Sequence, residues 1–371
     1  MKKDWEIKQL GELGKVSMCK RILKKQTSPI GDIPFYKIGT FGKIPNAFIS
    51  KEVYEEYRSK YSFPKKGAIL LSASGTIGRC VIYDGKPAYF QDSNIVWIDN
   101  NEKKVSNEYL YKFYGFCNWN PSKGATISRL YNDNLRKIKI PVPTLPEQKR
   151  IVKILDKAFT AIDKTKENAE KNLQSAKELF ESYLNGILVN GKLKVENGEW
   201  EEKKLGEVIK LEYGKPLDKS FRTSDGKYPA YGANGIKART NKYYYDQKTI
   251  IVGRKGSAGE INLTAEKFWP LDVTYFVKYD DKKMNLSFLF FLLSKLNLPT
   301  LAKGVKPGIN RNDVYSINVK FPPLLEQKQI VKKLDALQTK TKRLEKIYQQ
   351  KIADVEELKK SVLQKAFEGG L

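Results

Sequence analysis

The sequence predicts an α+β chain: two similar mixed α/β domains separated by two long helices that can pair as a coiled coil, with internal pseudo-two-fold symmetry. Three observations lead there. The 371-residue chain repeats itself, each copy mixes β-prone runs with short helical ones, and each copy closes on a long heptad-spaced stretch without internal proline or glycine.

The repeat is anchored at both ends. WEIKQLGELGKV from Trp5 is echoed by WEEKKLGEVIKL from Trp200, and LPEQKRIVKILD (145–156) by LLEQKQIVKKLD (324–335). Just before the second anchor, YNDNLRKIKIPVPT (131–144) parallels RNDVYSINVKFPPL (311–324) with one residue deleted. Between the anchors, AILLSASGTIGRC (68–80) parallels TIIVGRKGSAGEI (249–261), and YLYKFYGF (109–116) parallels FLFFLLSK (288–295). Anchors recurring in one order at a nearly constant offset argue against chance.

Within each copy the runs Ala68–Ser72, Asn94–Ile98, Thr249–Val252 and Val273–Val277 are β-branched or aromatic and punctuated by Gly or Asp, which predicts strands. Helices are expected over 106–117 and 285–296. The long helices are expected to start just beyond Pro143, Pro146 and Pro322–Pro323, because proline removes a helical hydrogen bond. The first helix has its seam at Ile151, Leu155, Ala158, Ile162, Thr165, Ala169, Asn172 and Ala176, with Phe180 and Tyr183 less regular. The second has Ile330, Leu334, Leu337, Thr341, Leu344, Tyr348, Lys351, Val355, Leu358 and Val362. About 40 residues at ~1.5 Å each make a rod of ~60 Å, and so long a seam needs a long partner. The expected segments are 1–145, 146–190, 191–324 and 325–371.

The chain carries 68 Lys+Arg against 42 Asp+Glu, a formal charge of +26. The two helical stretches are nearly balanced, with 8 basic and 7 acidic residues over 147–186 and 11 and 7 over 326–368, so their Lys and Arg read as solvated faces. The excess lies in the globular segments and points to a polyanionic partner, nucleic acid first. Histidine is absent, which removes Ser-His-Asp and Cys-His triads and every His-containing metal site. Cys19, Cys80 and Cys117 are far apart and form no CxxC pair, so neither a disulfide framework nor a zinc knuckle is expected. The N-terminus lacks an apolar signal core, and the longest apolar stretch, Phe288–Leu293, is too short for a bilayer. The expected compartment is the cytoplasm.

These anchors resemble the specificity subunit of type I restriction–modification enzymes. The resemblance is carried by Trp5–Leu13 and Trp200–Val208 and by the PxP…LxEQKxIVxxLD blocks ending at Asp156 and Asp335. YPAYGANGIKAR (228–239), IIVGRKGSAG (250–259) and FWPLDVTYFV (268–277) are also similar to that family's target-recognition domains. The likeness spans essentially the whole chain. It implies a non-catalytic subunit without cofactor or metal, which reads a bipartite site on double-stranded DNA. Its helices would form an antiparallel coiled-coil pair that spaces the two domains and receives two methylation subunits, and two restriction subunits would be reached through them. The first domain departs from the pattern, with FYKIGTFGK (35–43) for the YGANG loop and SASGTIGR (72–79) for GRKGSAG. A different half-site specificity is the reading of that departure.

Candidate DNA contacts fall in three groups. The Gly-rich loops supply Ser74, Thr76 and Arg79 in one copy and Arg254, Lys255 and Ser257 in the other. Glycines let backbone approach phosphate and the cations neutralise it; the competing reading is a tight turn with solvated charge. The second group comprises Lys37 and Thr40 in the first copy, and Tyr231, Asn234, Lys237 and Arg239 in the second. Asn pairs bidentately with adenine, and a plain hairpin is the alternative. The third precedes the long helices: Lys123, Thr126, Ser128 and Arg129, then Lys303, Lys306, Asn310 and Arg311.

The rival readings are a stand-alone methyltransferase or nuclease, a coiled-coil scaffold that binds only protein, and the recognition subunit of a related system that fuses methylation and cutting. The nearest string to a DPPY- or NPPF-like methyltransferase motif is Lys320-Phe321-Pro322-Pro323-Leu324, which lacks the Asn or Asp, and no GxxxxGK[ST] occurs.

Overall fold

The computed structural model describes residues 5–119, 129–188 and 200–371. Two compact units emerge: Met1–Glu170 with Gln350–Leu371, and Lys171–Gln349. Each long helix therefore gives one end to each unit, a division that a linear segmentation does not express.

The units share one topology. In the first, Glu6–Gln9 pairs antiparallel with Lys139–Val142, tying the start of the domain to the strand that enters the long helix. A four-stranded antiparallel sheet follows the order Gly14–Ser17, Ile95–Asn100, Ile69–Ser72, Cys80–Ile82. A three-stranded sheet follows the order Phe48–Ile49, Ile33–Tyr36, Tyr89–Phe90, its last pair parallel. The second unit repeats this with Glu201–Lys204 on Asn318–Phe321, then Ile209–Tyr213, Thr274–Tyr279, Ile250–Gly253, Ile261–Leu263, and then Gly235–Thr240, Tyr228–Gly232, Trp269–Pro270. The strands Ile69–Ser72 and Ile250–Gly253 are buried on both faces, which is why they read as unbroken apolar runs rather than alternating ones. The copies diverge at the edge of the small sheet. There the first unit has the helix Lys51–Lys60 and the second a hairpin closed by Ala233-Asn234.

The helices Asn107–Phe116 and Leu286–Lys295 start where polar caps stand: Ser106 Oγ accepts from Tyr109 N at 3.2 Å, and Asn285 Oδ1 from Phe288 N at 3.0 Å. Each is then clamped by the glutamine of the LxEQ block. Gln148 Nε2 donates to the carbonyls of Pro143 and Lys104 at 2.8 Å, while its Oε1 accepts from Ser106 N at 2.9 Å. Gln327 repeats this with Pro322, Lys283 and Asn285 at 2.9, 3.0 and 2.8 Å. The block is thus a lock between each long helix and its domain.

The long helices span Leu145–Leu188 and Leu324–Phe367. Pro146 lies inside the first turn rather than before it, a correction that follows from the first turn having no intrahelical acceptor for that N–H. In the first unit Lys166 pairs with Glu356 at 2.7 Å and Lys359 with Asp163 at 2.8 Å, so the two helices run antiparallel there. In the second unit Leu184, Ile187 and Leu188 share a core with Ile330 and Leu334.

The structure buries Ile151, Leu155, Ile162, Ala169 and Ala176, with Ala158 and Thr165 half-buried; Asn172 is exposed and Leu173 takes the inward place. In the second helix Ile330, Leu334, Thr341 and Val355 are buried, and Leu337, Tyr348 and Val362 are half-buried. Leu344 and Leu358, expected on the seam, are 38% and 50% exposed, and Lys351 is exposed as well. Glu345, Ile352 and Lys359 occupy the half-buried positions instead. The cause is geometric: in a straight helix seven residues fall ~20° short of two turns and eleven overshoot three turns by as much, so one face recurs about every eighteen residues. Ile330, Tyr348 and Ala366 follow that spacing, as do Leu334 and Ile352, Leu337 and Val355, and Thr341 and Lys359.

Candidate nucleic-acid interface

Each unit builds one platform from a glycine loop and an arm. After Ile69–Ser72 the chain turns through Gly75 and Gly78, with φ of 65° and 88°; after Ile250–Gly253 it turns through Gly256 and Gly259, with φ of 79° and 85°. A side chain at Gly259 would place Cβ 2.4 Å from Pro299 N, so the residue is required twice over, by φ and by space. Matching hydrogen bonds close both loops: Gly78 N donates to Ser72 O at 3.1 Å, and Gly259 N to Gly253 O at 2.8 Å.

The arm docks on the loop in the same way in both. Leu130 N donates to Ala73 O at 2.8 Å, and Ile309 N to Arg254 O at 3.0 Å. Ser74 bridges Arg129, and Lys255 bridges Gly308. The first and third groups of expected contacts are therefore contiguous in the second unit.

In that unit Lys255, Lys306, Asn310 and Arg311 are exposed, and Arg254 and Ser257 are half-exposed. Lys303 is held by Asp313 at 3.0 Å across the arm. Asn310 caps the short helix Arg311–Tyr315, its Oδ1 accepting from Asn312 N at 2.9 Å. Arg254 donates through Nε and Nη2 to Asp272 O at 3.2 and 2.6 Å, leaving Nη1 unengaged. The YGANG loop needs correction in part. Tyr231 is 6% exposed, its ring against Phe268 and its hydroxyl oxygen accepting from Ala265 N at 3.0 Å, because Tyr228–Gly232 is covered on both faces there, Ala230 packing with Leu217 and Leu271 and Tyr231 with Ile251, Phe268 and Phe276. Arg239 is spent on local structure, donating to the carbonyls of Gly226 and Lys227 at 2.5 and 2.8 Å. Asn234 and Lys237 stay exposed at the hairpin.

In the first unit Ser74 is buried and its Oγ donates to Asn94 Oδ1 at 2.7 Å, a correction to its expected role as a contact. Thr40 Oγ1 serves its own turn, accepting from Lys37 N at 3.2 Å. Arg79 donates to Phe41 O at 3.0 Å and so braces the following loop; Thr76 is exposed. Lys37 and Arg129 line one cleft of about 270 Å³ with Arg21, Lys24, Gln91 and Asn94. Lys123, Thr126 and Ser128 lie outside the described residues.

Sequence reasoning missed Tyr213 in the second unit and Arg21, Lys24, Gln91 and Asn94 in the first. All lie far along the chain from the loops they join, and only strand pairing brings them together.

Among the described residues no group of three or more His, Cys, Asp or Glu is arranged to hold a metal ion, and no helix is long and apolar enough to cross a membrane. Burial pushes the Cys19, Cys80 and Cys117 thiols up to about 12, so all three are poor thiolates near neutral pH.

The family model described as type I restriction modification DNA specificity domain matches residues 2–172 and 197–354. A putative type I restriction enzyme specificity subunit of Haemophilus influenzae is 58% identical over 180 residues, 48% of this chain and 47% of that one. The putative MjaX specificity subunit of Methanocaldococcus jannaschii is 25% identical over 90% of this chain and 87% of its own. Among solved structures, a chain from work on complex assembly and conformational transition of the type I system superposes with a TM-score of 0.77 at 18% identity, covering 100% of this chain and 99% of that one. The HsdS subunit from Thermoanaerobacter tengcongensis gives 0.64 at 17%, covering 100% and 98%.

Proposed function

The chain belongs to the type I restriction–modification DNA specificity family, and from that premise we propose that it selects the DNA site for a methylation and restriction complex while performing no chemistry itself. Its ligand is double-stranded DNA with a bipartite target, one half read by each domain. Methylation subunits dock on it, and restriction subunits join through them. The observation that carries this reading is the glycine loop with its docked arm, built twice with the same backbone hydrogen bonds but different side chains. Equal backbones suit equal approaches to a duplex, and unequal side chains suit unequal half-sites. Lys255, Lys306 and Arg311 supply cations at the second platform, and Lys37 and Arg129 at the first.

The test is expression with an adenine-methylating partner subunit in a cell lacking other methylation, followed by methylome sequencing. A split adenine motif is expected, absent when either protein is omitted. Methylation of a continuous motif, or methylation by this chain alone, overturns the reading.

A further inference from the structure

Tyr213 is the last residue of the strand Ile209–Tyr213, beside the platform of the second unit, and 48% of it is exposed. Both arginines of that platform meet it. The guanidinium carbons of Arg254 and Arg311 each lie 5.4 Å from its ring centroid. The ring is fixed from behind by Tyr275, at 5.1 Å between centroids, and Tyr275 is itself tied down by donating its hydroxyl to Ile309 O at 3.1 Å. Among the described residues neither arginine is in an ion pair. Two cations thus converge on one half-exposed aromatic ring without a carboxylate to neutralise them.

Other arginines are spent in several ways: Arg79, Arg222 and Arg239 close on backbone carbonyls, as Arg254 does with part of its guanidinium, Arg21, Arg136 and Arg150 on carboxylates, and Arg58 lies over the rings of Tyr54 and Phe63. With the units matched by strand, arm bond and helix start, the first has Met18, Ala73 and Asn132 where the second has Tyr213, Arg254 and Arg311, so the first lacks this cluster.

We propose that Tyr213 is a specificity-determining positioning residue. It holds the guanidinium groups of Arg254 and Arg311 as a preformed pair that reads acceptor-rich base edges, guanine O6 and N7, in the second half-site. The inference rests on the functional reading above. A guanidinium offers a rigid fork, and a cation–π contact with the ring narrows the positions that fork can take before the duplex arrives. Arg254 is the more constrained: Asp272 O takes its Nε and one Nη2 hydrogen, leaving the Nη1–Nη2 edge for a bidentate contact. Arg311 sits at the first residue of its helix, so its backbone is fixed while its side chain leans on the ring.

The test compares Tyr213→Phe, Tyr213→Leu, Arg254→Lys and Arg311→Lys in the assembled methyltransferase. Binding is measured on the cognate duplex, a duplex altered only in the second half-site, and a random duplex, and the methylated motif is sequenced. Tyr213→Phe keeps the ring and should match the parent. Tyr213→Leu should lose about tenfold on the cognate duplex, as two exposed cation–π contacts together provide, and little on random DNA. Its motif should relax at a guanine of the second half while the first half stays sharp. Each Arg→Lys change keeps the charge but loses the fork, and should relax the same half. The first half-site, read by the other unit, reports that each variant is folded. If Tyr213→Leu keeps a sharp motif, or weakens cognate and random DNA equally, the positioning role is wrong. If no variant, the parent included, yields a split motif, the functional reading itself has failed.

Discussion

At the scale of single residues, two glutamines show how a short motif encodes position. Gln327 is 1% exposed and uses three hydrogen bonds to hold the start of the second long helix to its domain; Gln329, two residues on, is exposed. Removing the first takes this partner from the carbonyls of Pro322 and Lys283 and from the amide of Asn285, the first of these bonds buried and the other two half-buried. Gln327→Ala should cost about 2–4 kcal/mol, and Gln329→Ala should fall within about 0.5 kcal/mol, in urea unfolding of the isolated chain. The recurrence of EQ was legible in the sequence, but its purpose was not, because the partners at 104–106 and 283–285 stand some forty residues away. The same limit hid Tyr213: a tyrosine ending a strand looks like sheet surface until two arginines from distant loops are placed against it. Conversely, Tyr231 looked like a contact because it stands in a glycine-rich string, and only the packing on both faces of its strand shows that it is buried.

At the scale of elements, the strands and helices were legible because their patterns are local. The buried strands announce themselves as apolar runs, Ile-Leu-Leu before Ser72 and Ile-Ile-Val before Gly253, and the short helices by Ser or Asn caps before aromatic stretches. The phase of the second long helix was less so. A heptad count carries the seam through Leu344 and Leu358, whereas burial follows the eighteen-residue recurrence of a straight helix, from Ile330 through Tyr348 to Ala366. Leucine's apolarity favours the wrong face there, and only the drift of a straight helix corrects it. Leu363→Ala and Leu358→Ala separate the alternatives within one unit. The first side chain is 6% exposed within the main core, the second 50% exposed. The expected losses are about 2–5 kcal/mol for Leu363 and within about 0.5 kcal/mol for Leu358. Equal losses would restore the heptad seam.

At the scale of the whole molecule, duplication was the most legible feature, since its anchors recur in order, and the paired sheet orders reproduce it strand for strand. What the sequence left open is where the copies differ usefully: a helix against a hairpin at the small sheet, and Met18, Ala73 and Asn132 against an arginine–tyrosine cluster. Independence of the halves can be measured. Replacing residues 1–145 by the corresponding domain of another family member should change one half of the methylated motif and preserve the other. A change in both halves would mean that the domains do not read separately.

The second long helix ends in a place that matters while the protein is being made. Phe367 stacks on Phe116 at 5.4 Å and meets Tyr109 and Phe113 edge-on, and Leu363 and Ala366 lie in the same core. The unit containing residues 171–349 is continuous along the chain, whereas the unit that begins the chain cannot close until residues 363–367 have left the ribosome. Domains ordinarily finish folding in the order in which they are synthesised. The expected order is inverted here: all the segments of the unit 171–349 are synthesised before residues 363–367, which the other unit needs to cover its aromatic cluster, and limited proteolysis of ribosome-bound chains lacking those residues should cut the earlier unit first.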